Sequence, residues 1–229
     1  MKLAVIGASG TTGQQIVNQA VAAGHDVRAI DRDDCKDAAF PNMVDRRQGD
    51  VLEGDLAPLL EGREAVLSGL GVPLAPKTAA SPPPLYSEGT RNIVDAMRRA
   101  GVRRLVVISA TFVATRDRGP LWFRAAAHLA LDRIFDQMAE MEEILRGTDD
   151  IDWTAVRPGW LLDGALTRDY VVRPDAIPDD LIRTRHADLA HFMLHCAESD
   201  DWVRQTPAVA RAEEPAVSGP QAVLQELAG

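Results

Sequence analysis

The chain has 229 residues, of which 46% are hydrophobic and 26% are charged, and its formal net charge is -9. This length suits one large domain, and the composition is that of a folded protein rather than a disordered one. The negative charge disfavours binding to nucleic acid and to anionic membrane surfaces. Two cysteines, Cys35 and Cys196, are too few for a disulfide framework or a Cys-based zinc site. With no apolar run of the length of a signal peptide or a membrane span, we expect a cytoplasmic protein.

Predicted strands and helices alternate from the first residue onward. The predicted strands are apolar runs at 3–6, 26–30, 65–67, 105–108 and 153–156, with a weaker one at 43–48 and one more after 205. The predicted helices follow Gly10 and lie at 55–60, 87–100, 131–145 and 187–196. Thr11 or Thr12 can cap the first helix, and Gly24 can end it. The pattern predicts an α/β fold, a doubly wound parallel sheet of the Rossmann type. We expect a single domain over 1–229, with a small substrate lobe from about 111–128 and 159–185.

The most informative segment is a glycine-rich turn between the first strand and the first helix, Gly7-Ala8-Ser9-Gly10-Thr11-Thr12-Gly13. Gly7 allows a tight exit from the strand, Gly10 leaves room for a pyrophosphate, and Gly13 lets the helix lie close to the sheet. The helix N-terminus supplies unpaired N–H groups and a partial positive charge for phosphates. We therefore predict that these residues bind a dinucleotide.

The spacing Gly-x-x-Gly-x-x-Gly resembles that of the short-chain dehydrogenase/reductase superfamily. The segments 87–94, 101–109, 142–145, 153–159 and 188–194 are similar to its atypical branch, which includes NmrA-like proteins and biliverdin reductase B, a flavin reductase. The resemblance covers about residues 1–200 and implies an NAD(P)H-binding protein.

The same resemblance assigns further cofactor contacts to the loops that follow the strands. It implies that Asp50 and Val51 lie at the adenine edge, and that the loop after the fourth strand lies beside the nicotinamide ribose. That loop consists of Gly69, Leu70 and Gly71. It also implies that Ser109 faces the nicotinamide and that Pro158 runs close to the carboxamide.

The end of the second strand offers residues for either nicotinamide cofactor. A carboxylate such as Asp31, 18 residues beyond Gly13, chelates the adenosine ribose and favours NAD. An arginine such as Arg32 pairs with a 2′-phosphate and favours NADP. The resemblance implies NADPH, although Asp31 departs from the pattern of the branch, where an apolar residue more often precedes the arginine. We predict NADP, with NAD as the alternative.

Most members of the superfamily use a tyrosine with a lysine four residues later for proton transfer. The two tyrosines here, Tyr86 and Tyr170, are followed at that spacing by Thr90 and Pro174. Hydride transfer to a flavin or another planar acceptor needs mainly stacking and orientation, so it does not require the tyrosine and lysine pair. Ser109 is then the candidate catalytic residue, as a hydrogen-bonding group near the nicotinamide.

Two functions remain open. The first is an NAD(P)H-dependent reductase of a flavin-like, quinone-like or carbonyl acceptor, with Trp122, Phe123 and Trp160 as a candidate apolar wall for a planar small-molecule substrate. The second is an NmrA-like redox sensor that binds dinucleotide without turnover. The compact length favours the enzyme, and a monomer is compatible with the sequence.

A metal site is not expected. His191 and His195 have the spacing of a zinc-binding helix, but Phe192 stands where the metalloprotease motif has glutamate.

Overall fold

The computed structural model describes residues 1–33, 35, 38–72, 81–115, 121–218 and 222, and between 121 and 130 it describes the backbone alone. The strands are β1 (Lys2–Ile6), β2 (Asp26–Asp31), β3 (Asp45–Gln48), β4 (Ala65–Ser68), β5 (Arg104–Ile108), β6 (Asp152–Pro158), β7 (Trp160–Leu162), β8 (Val171–Pro174), β9 (Arg183–Arg185) and β10 (Pro207–Ala210). The helices are α1 (Thr11–Ala22), α2 (Ala57–Leu60), α3 (Ser87–Ala100), α4 (Leu121–Arg146), α5 (His186–Glu198) and α6 (Pro215–Ser218), with a 3-10 turn at Thr111–Val113.

Eight of these strands form one sheet in the order β3-β2-β1-β4-β5-β6-β10-β8. All neighbouring pairs are parallel except β10 with β8, which is antiparallel. In chain order, β2 and β3 are added on one side of β1, and β4 then pairs with the other side of β1. The doubly wound α/β fold is therefore confirmed, and its topological switch point lies between β1 and β4, where open α/β sheets bind ligands.

Two apolar cores cover the faces of this sheet. Helices α1 and α5 pack together over one face, through buried side chains such as Ile16, Val17 and Met193. Helices α2, α3 and α4 cover the other, through Leu60, Ile93 and others. Because both faces are covered, the central strands consist of continuous apolar residues rather than alternating apolar and polar ones.

The helix ends differ from expectation at two points. No threonine side chain caps α1, whose N-cap is Gly10 in an extended conformation. The long helix α4 begins at Leu121, ten residues before the first position of its predicted apolar line. Gly24 does adopt the left-handed conformation predicted for it, with φ 84°.

The segment expected to form a substrate lobe is divided between several elements. Within 159–185, β7 and β9 pair in a small parallel sheet, whereas β8 joins the edge of the main sheet. Residues 121–128 belong to α4, and 116–120 lie outside the described residues. The predicted strand after 205 is present as β10. No helix among the described residues has both the length and the apolar character needed to cross a bilayer.

Candidate active site

The glycine-rich turn joins β1 to α1 at the switch point. A Cβ atom at Gly13 would lie 2.0 Å from the Gly7 carbonyl oxygen, so the close approach of α1 to the turn requires glycine there. A Cβ atom at Gly10 would have no neighbour closer than 3.4 Å, and Gly10 lines both cavities described below. The turn therefore combines a tightly packed position with an open one. The space over the N-terminus of α1 is open at the place where the sequence predicts a pyrophosphate group.

A cavity of about 240 Å³ lies on one side of the turn. The residues predicted to contact the adenosine line it together, namely Asp31, Arg32, Asp50 and Val51, and Ser9 of the glycine-rich turn lines it as well. Asp50 accepts a hydrogen bond from the backbone N–H of Leu52 at 2.9 Å, which fixes the loop after β3. The structure thus brings the predicted adenosine contacts to one place.

Asp31 turns its carboxylate towards the glycine turn. Its Oδ2 atom accepts hydrogen bonds from the Ser9 backbone N–H at 3.0 Å and from the Ser9 hydroxyl at 2.6 Å. Its Oδ1 atom accepts from the Arg32 backbone N–H at 2.8 Å. The side chain of Arg32 is exposed. Both carboxylate oxygens are therefore occupied by donors of the protein, while the guanidinium faces solvent at the cavity.

A larger cleft of about 560 Å³ lies on the other side of the turn. Gly10, Thr11 and Thr12 form part of its wall, together with Gly69, Leu70, Gly71, Ser109 and Pro158. The rest is largely apolar, and its large side chains include Phe112, Leu131, Ile134, Phe135, Met138 and Trp160. The rings of Phe112 and Phe135 lie 5.4 Å apart. The side chains of Trp122 and Phe123, predicted for the same wall, lie outside the described residues.

Ser109 is held from beneath the cleft by a buried charge pair. Its hydroxyl donates to Glu142 Oε1 at 2.7 Å, and only 1% of the residue is exposed. Arg157 donates to both oxygens of Glu142, from Nε at 2.8 Å and from Nη2 at 2.5 Å. Arg146 reaches the same carboxylate at 2.8 Å from the surface. Ser109 thus donates its only hydroxyl proton to Glu142, because an ionised carboxylate accepts hydrogen bonds and has no proton to donate.

The role of Glu142 in fixing Ser109 was not foreseen from the sequence. A signal existed, because Glu142 stands between Met138 and Leu145 on the apolar line of the long helix. A carboxylate on a buried helix face requires partners, and Arg157 at the end of a neighbouring strand supplies them.

The two tyrosines occupy different surroundings. Tyr86 lines the cleft, and burial raises its pKa to about 12, while its hydroxyl oxygen accepts from the Val72 backbone N–H. Tyr170 lies away from the cleft and contacts His191 Nδ1 through its hydroxyl at 2.7 Å. Burial raises the pKa of Tyr170 to about 12 as well. Both phenols therefore stay protonated in the physiological range.

His186 was also missed by the sequence analysis. It is the first residue of α5, it lines the cleft, and its Nδ1 atom lies 2.7 Å from the Thr12 hydroxyl oxygen. Burial lowers its pKa, and the Asp163 carboxylate opposes this shift. Burial therefore favours the neutral form of this imidazole, which contacts the glycine-rich turn through Thr12.

The two histidines with zinc-helix spacing face different partners. His191 contacts Tyr170, and His195 lies 3.4 Å from Asp201. Among the described residues, no group of three or more histidine, cysteine or acidic side chains is arranged to hold a metal ion. Cys196 is buried, and burial raises its pKa to about 12.

Comparison with known proteins decides the family. Residues 7–200 match the model of a family described as NAD(P)H-binding. The chain belongs to this NAD(P)H-binding family. Its membership confirms the resemblance to the atypical short-chain dehydrogenases/reductases that the motifs indicated. A chloroplast protein of Arabidopsis thaliana without assigned function is 30% identical over 93% of this chain and 78% of its own length.

Solved structures share the fold of this NAD(P)H-binding protein. A candidate NADH-flavin reductase of Streptococcus pneumoniae superposes with a TM-score of 0.69 at 24% identity, over 93% of this chain and 100% of its own. A short-chain dehydrogenase/reductase of Veillonella parvula, solved in complex with NADP, gives a TM-score of 0.74 at 16% identity, over 92% of this chain and 94% of its own. At these identities the likeness establishes the fold alone.

Proposed function

We propose that this protein is an NADPH-dependent oxidoreductase that transfers hydride to a planar acceptor of the flavin, quinone or carbonyl type. One observation carries the proposal: the apolar cleft is continuous with the glycine-rich turn, so that Gly10, Thr12 and Ser109 share one cavity with Phe112 and Phe135. A dinucleotide held at the turn would place its nicotinamide at the floor of this cleft. A planar acceptor would stack above it, within the apolar wall.

The residues of the chain supply binding and orientation for this reaction. The nicotinamide supplies the hydride when the cofactor is bound. The first turn of α1 holds the phosphates, and the apolar side chains of α4 exclude water from the reacting face. Ser109 acts as a hydrogen-bond acceptor, because its own proton is donated to Glu142. The proton that completes reduction of the acceptor comes from water at the cleft mouth.

Two observations support NADPH over NADH. The exposed guanidinium of Arg32 lies at the adenosine cavity, where a 2′-phosphate would extend. The carboxylate of Asp31 is engaged by Ser9 and by the Arg32 backbone, which reduces both its repulsion of a phosphate and its capacity to chelate a ribose. The fold is shared with the Veillonella parvula protein that was solved in complex with NADP.

A second candidate is a dinucleotide-binding redox sensor without turnover. The bond between Ser109 and Glu142 favours it, since this bond removes the serine proton from any substrate carbonyl. Cofactor binding is common to both functions, so turnover distinguishes them.

The test combines binding and turnover. Calorimetry with NADPH and NADH measures cofactor affinity, and loss of the reduced nicotinamide absorbance is then followed with riboflavin, menadione and aromatic aldehydes. Gly10→Val, which fills the phosphate space, is the matched control. Turnover with a planar acceptor, absent in the control, supports the reductase. Tight binding without turnover would support the sensor, and absence of binding would overturn both.

A further inference from the structure

The contact between Thr12 and His186 joins the phosphate end of the cleft to its substrate side. Thr12 lies in the first turn of α1, and His186 begins α5, 174 residues later. Their side chains meet at 2.7 Å between the hydroxyl oxygen and Nδ1. Since no side chain caps α1, the Thr12 hydroxyl is not used to satisfy its own helix. This hydroxyl is therefore available to contact both the imidazole and a phosphate oxygen.

The second ring nitrogen of His186 has no hydrogen-bond partner among the described residues. Of the two nitrogens, Nδ1 alone is engaged, and the half-buried residue forms part of the cleft wall. A neutral imidazole has one N–H and one lone pair. If Nδ1 carries the proton, Nε2 accepts hydrogen bonds. If Nδ1 is unprotonated, Nε2 carries the proton and donates them.

The Thr12 hydroxyl has a single proton, so its direction and the tautomer of His186 are linked. When the hydroxyl donates to Nδ1, the histidine proton must lie on Nε2. When the hydroxyl donates to a phosphate oxygen instead, its lone pair accepts from Nδ1–H, and Nε2 is left as an acceptor.

We infer that His186 is a specificity-determining residue whose tautomer is set by the occupied phosphate site through Thr12. With dinucleotide bound, Nε2 is an acceptor and selects planar substrates that carry an N–H or O–H donor on the facing edge. This inference rests on the proposed function and names the class of acceptor within it. An isoalloxazine ring, which has an imide N–H, belongs to that class, whereas an unsubstituted quinone offers only acceptors.

Nitrogen NMR of the imidazole rings tests the tautomer directly. The chain has five histidines, and the His186 signals are identified by their loss in His186→Asn. When NADP⁺ is added, we expect the two nitrogen chemical shifts of His186 to change to the values of the tautomer that is protonated at Nδ1. In Thr12→Val, an isosteric change that removes the hydroxyl, cofactor addition should leave the tautomer unchanged, whereas Thr12→Ser should restore the response. Binding of NADP⁺ without any change of tautomer in the unmodified protein would overturn the inference and leave the proposed function standing.

Kinetics tests the selection of substrate. Lumiflavin has the imide N–H, and 3-methyllumiflavin lacks it. We expect the unmodified protein to prefer lumiflavin by roughly threefold to tenfold in kcat/KM, the range of one neutral hydrogen bond. The preference should disappear in both His186→Asn and Thr12→Val. A preference that persists in Thr12→Val would indicate steric exclusion of the methyl group and would contradict the inference. Absence of NADPH binding would instead indicate failure of the proposed function.

Discussion

The Ser109 hydroxyl donates to the Glu142 carboxylate across 2.7 Å, and Glu142 is fully buried. This bond links the end of β5 to α4, and Arg157 links the same carboxylate to the end of β6. Three elements that border the cleft are thereby fixed to each other beneath it. The arrangement fixes the position of the apolar walls relative to the glycine-rich turn.

Removal of one partner from the buried ion pair should be strongly destabilising. Glu142→Ala leaves Arg157 buried without its partner, and we expect a loss of about 3–5 kcal/mol in the free energy of unfolding. Arg146→Ala removes a partner of the same carboxylate whose side chain is 51% exposed, and we expect a loss below about 1 kcal/mol. Urea unfolding measures both variants. Similar losses in the two would show that burial does not govern this cluster.

Two glycines of the turn should respond differently to substitution. Gly10→Val places its side chain in the open phosphate space, so the variant should fold and lose NADPH binding. Gly13→Val would bring its side chain against the Gly7 carbonyl, so it should fail to fold or unfold at a much lower temperature. Thermal unfolding monitored by circular dichroism and calorimetric titration separate the outcomes. Unchanged NADPH affinity in a folded Gly10→Val protein would end the assignment of the phosphate site.

Cofactor choice should depend on two neighbouring residues with opposite effects. Arg32→Ala should weaken NADPH binding by about 1.5–3 kcal/mol, the value of a hydrogen bond to a charged group, and leave NADH binding almost unchanged. Asp31→Ala should weaken NADH and strengthen NADPH if the carboxylate reaches the ribose despite its bonds to Ser9. Dissociation constants of both cofactors for both variants decide the matter. Equal losses of the two cofactors in Arg32→Ala would assign the arginine a structural role.

Acid stability should depend on Glu213. Arg185 and Arg211 donate to its carboxylate at 2.5 Å each, and these bonds lower its pKa from 4.5 to about 2. Because the folded pKa is depressed, the unfolded chain binds the proton more readily. The stabilisation is therefore present above about pH 4.5 and is lost as the pH falls towards 2, with a magnitude of up to about 3 kcal/mol.

The measurement is urea unfolding at pH 5 and pH 3. Glu213→Gln should be less stable than the unmodified protein at pH 5, and the difference should shrink at pH 3. Glu214→Gln, a change at the exposed neighbouring position, is the control and should alter neither value. A constant difference between the two proteins across this range would contradict the assignment to Glu213.

The sequence predicts the features that depend on local patterns. The apolar strands, the glycine spacing of the turn and the left-handed Gly24 each follow from the preferences of neighbouring residues, and the structure places them as expected. The start of α4 at Leu121 was missed because segment 121–130 lacks the regular apolar line that marks its later turns.

The contacts that define the cleft depend on residues far apart in the chain. Thr12 and His186 are separated by 174 residues, and Ser109 and Glu142 by 33. Local preference favoured a capping role for Thr12, but the packing of α5 against α1 supplies a partner that local pattern cannot reveal. Pairings of this kind follow from tertiary packing, and a single sequence does not encode them in its spacing.

The position of β10 has a consequence for synthesis of the chain. Its residues Pro207–Ala210 separate β6 from β8, although both of those strands are made earlier. During translation the outer edge of β6 therefore stays open until β10 emerges, and β8 cannot join the sheet before then. The unpaired backbone groups of an open strand edge can form hydrogen bonds with strands of other chains. We therefore expect nascent chains that stall before residue 207 to aggregate more readily than chains in which β10 has paired with β6 and β8.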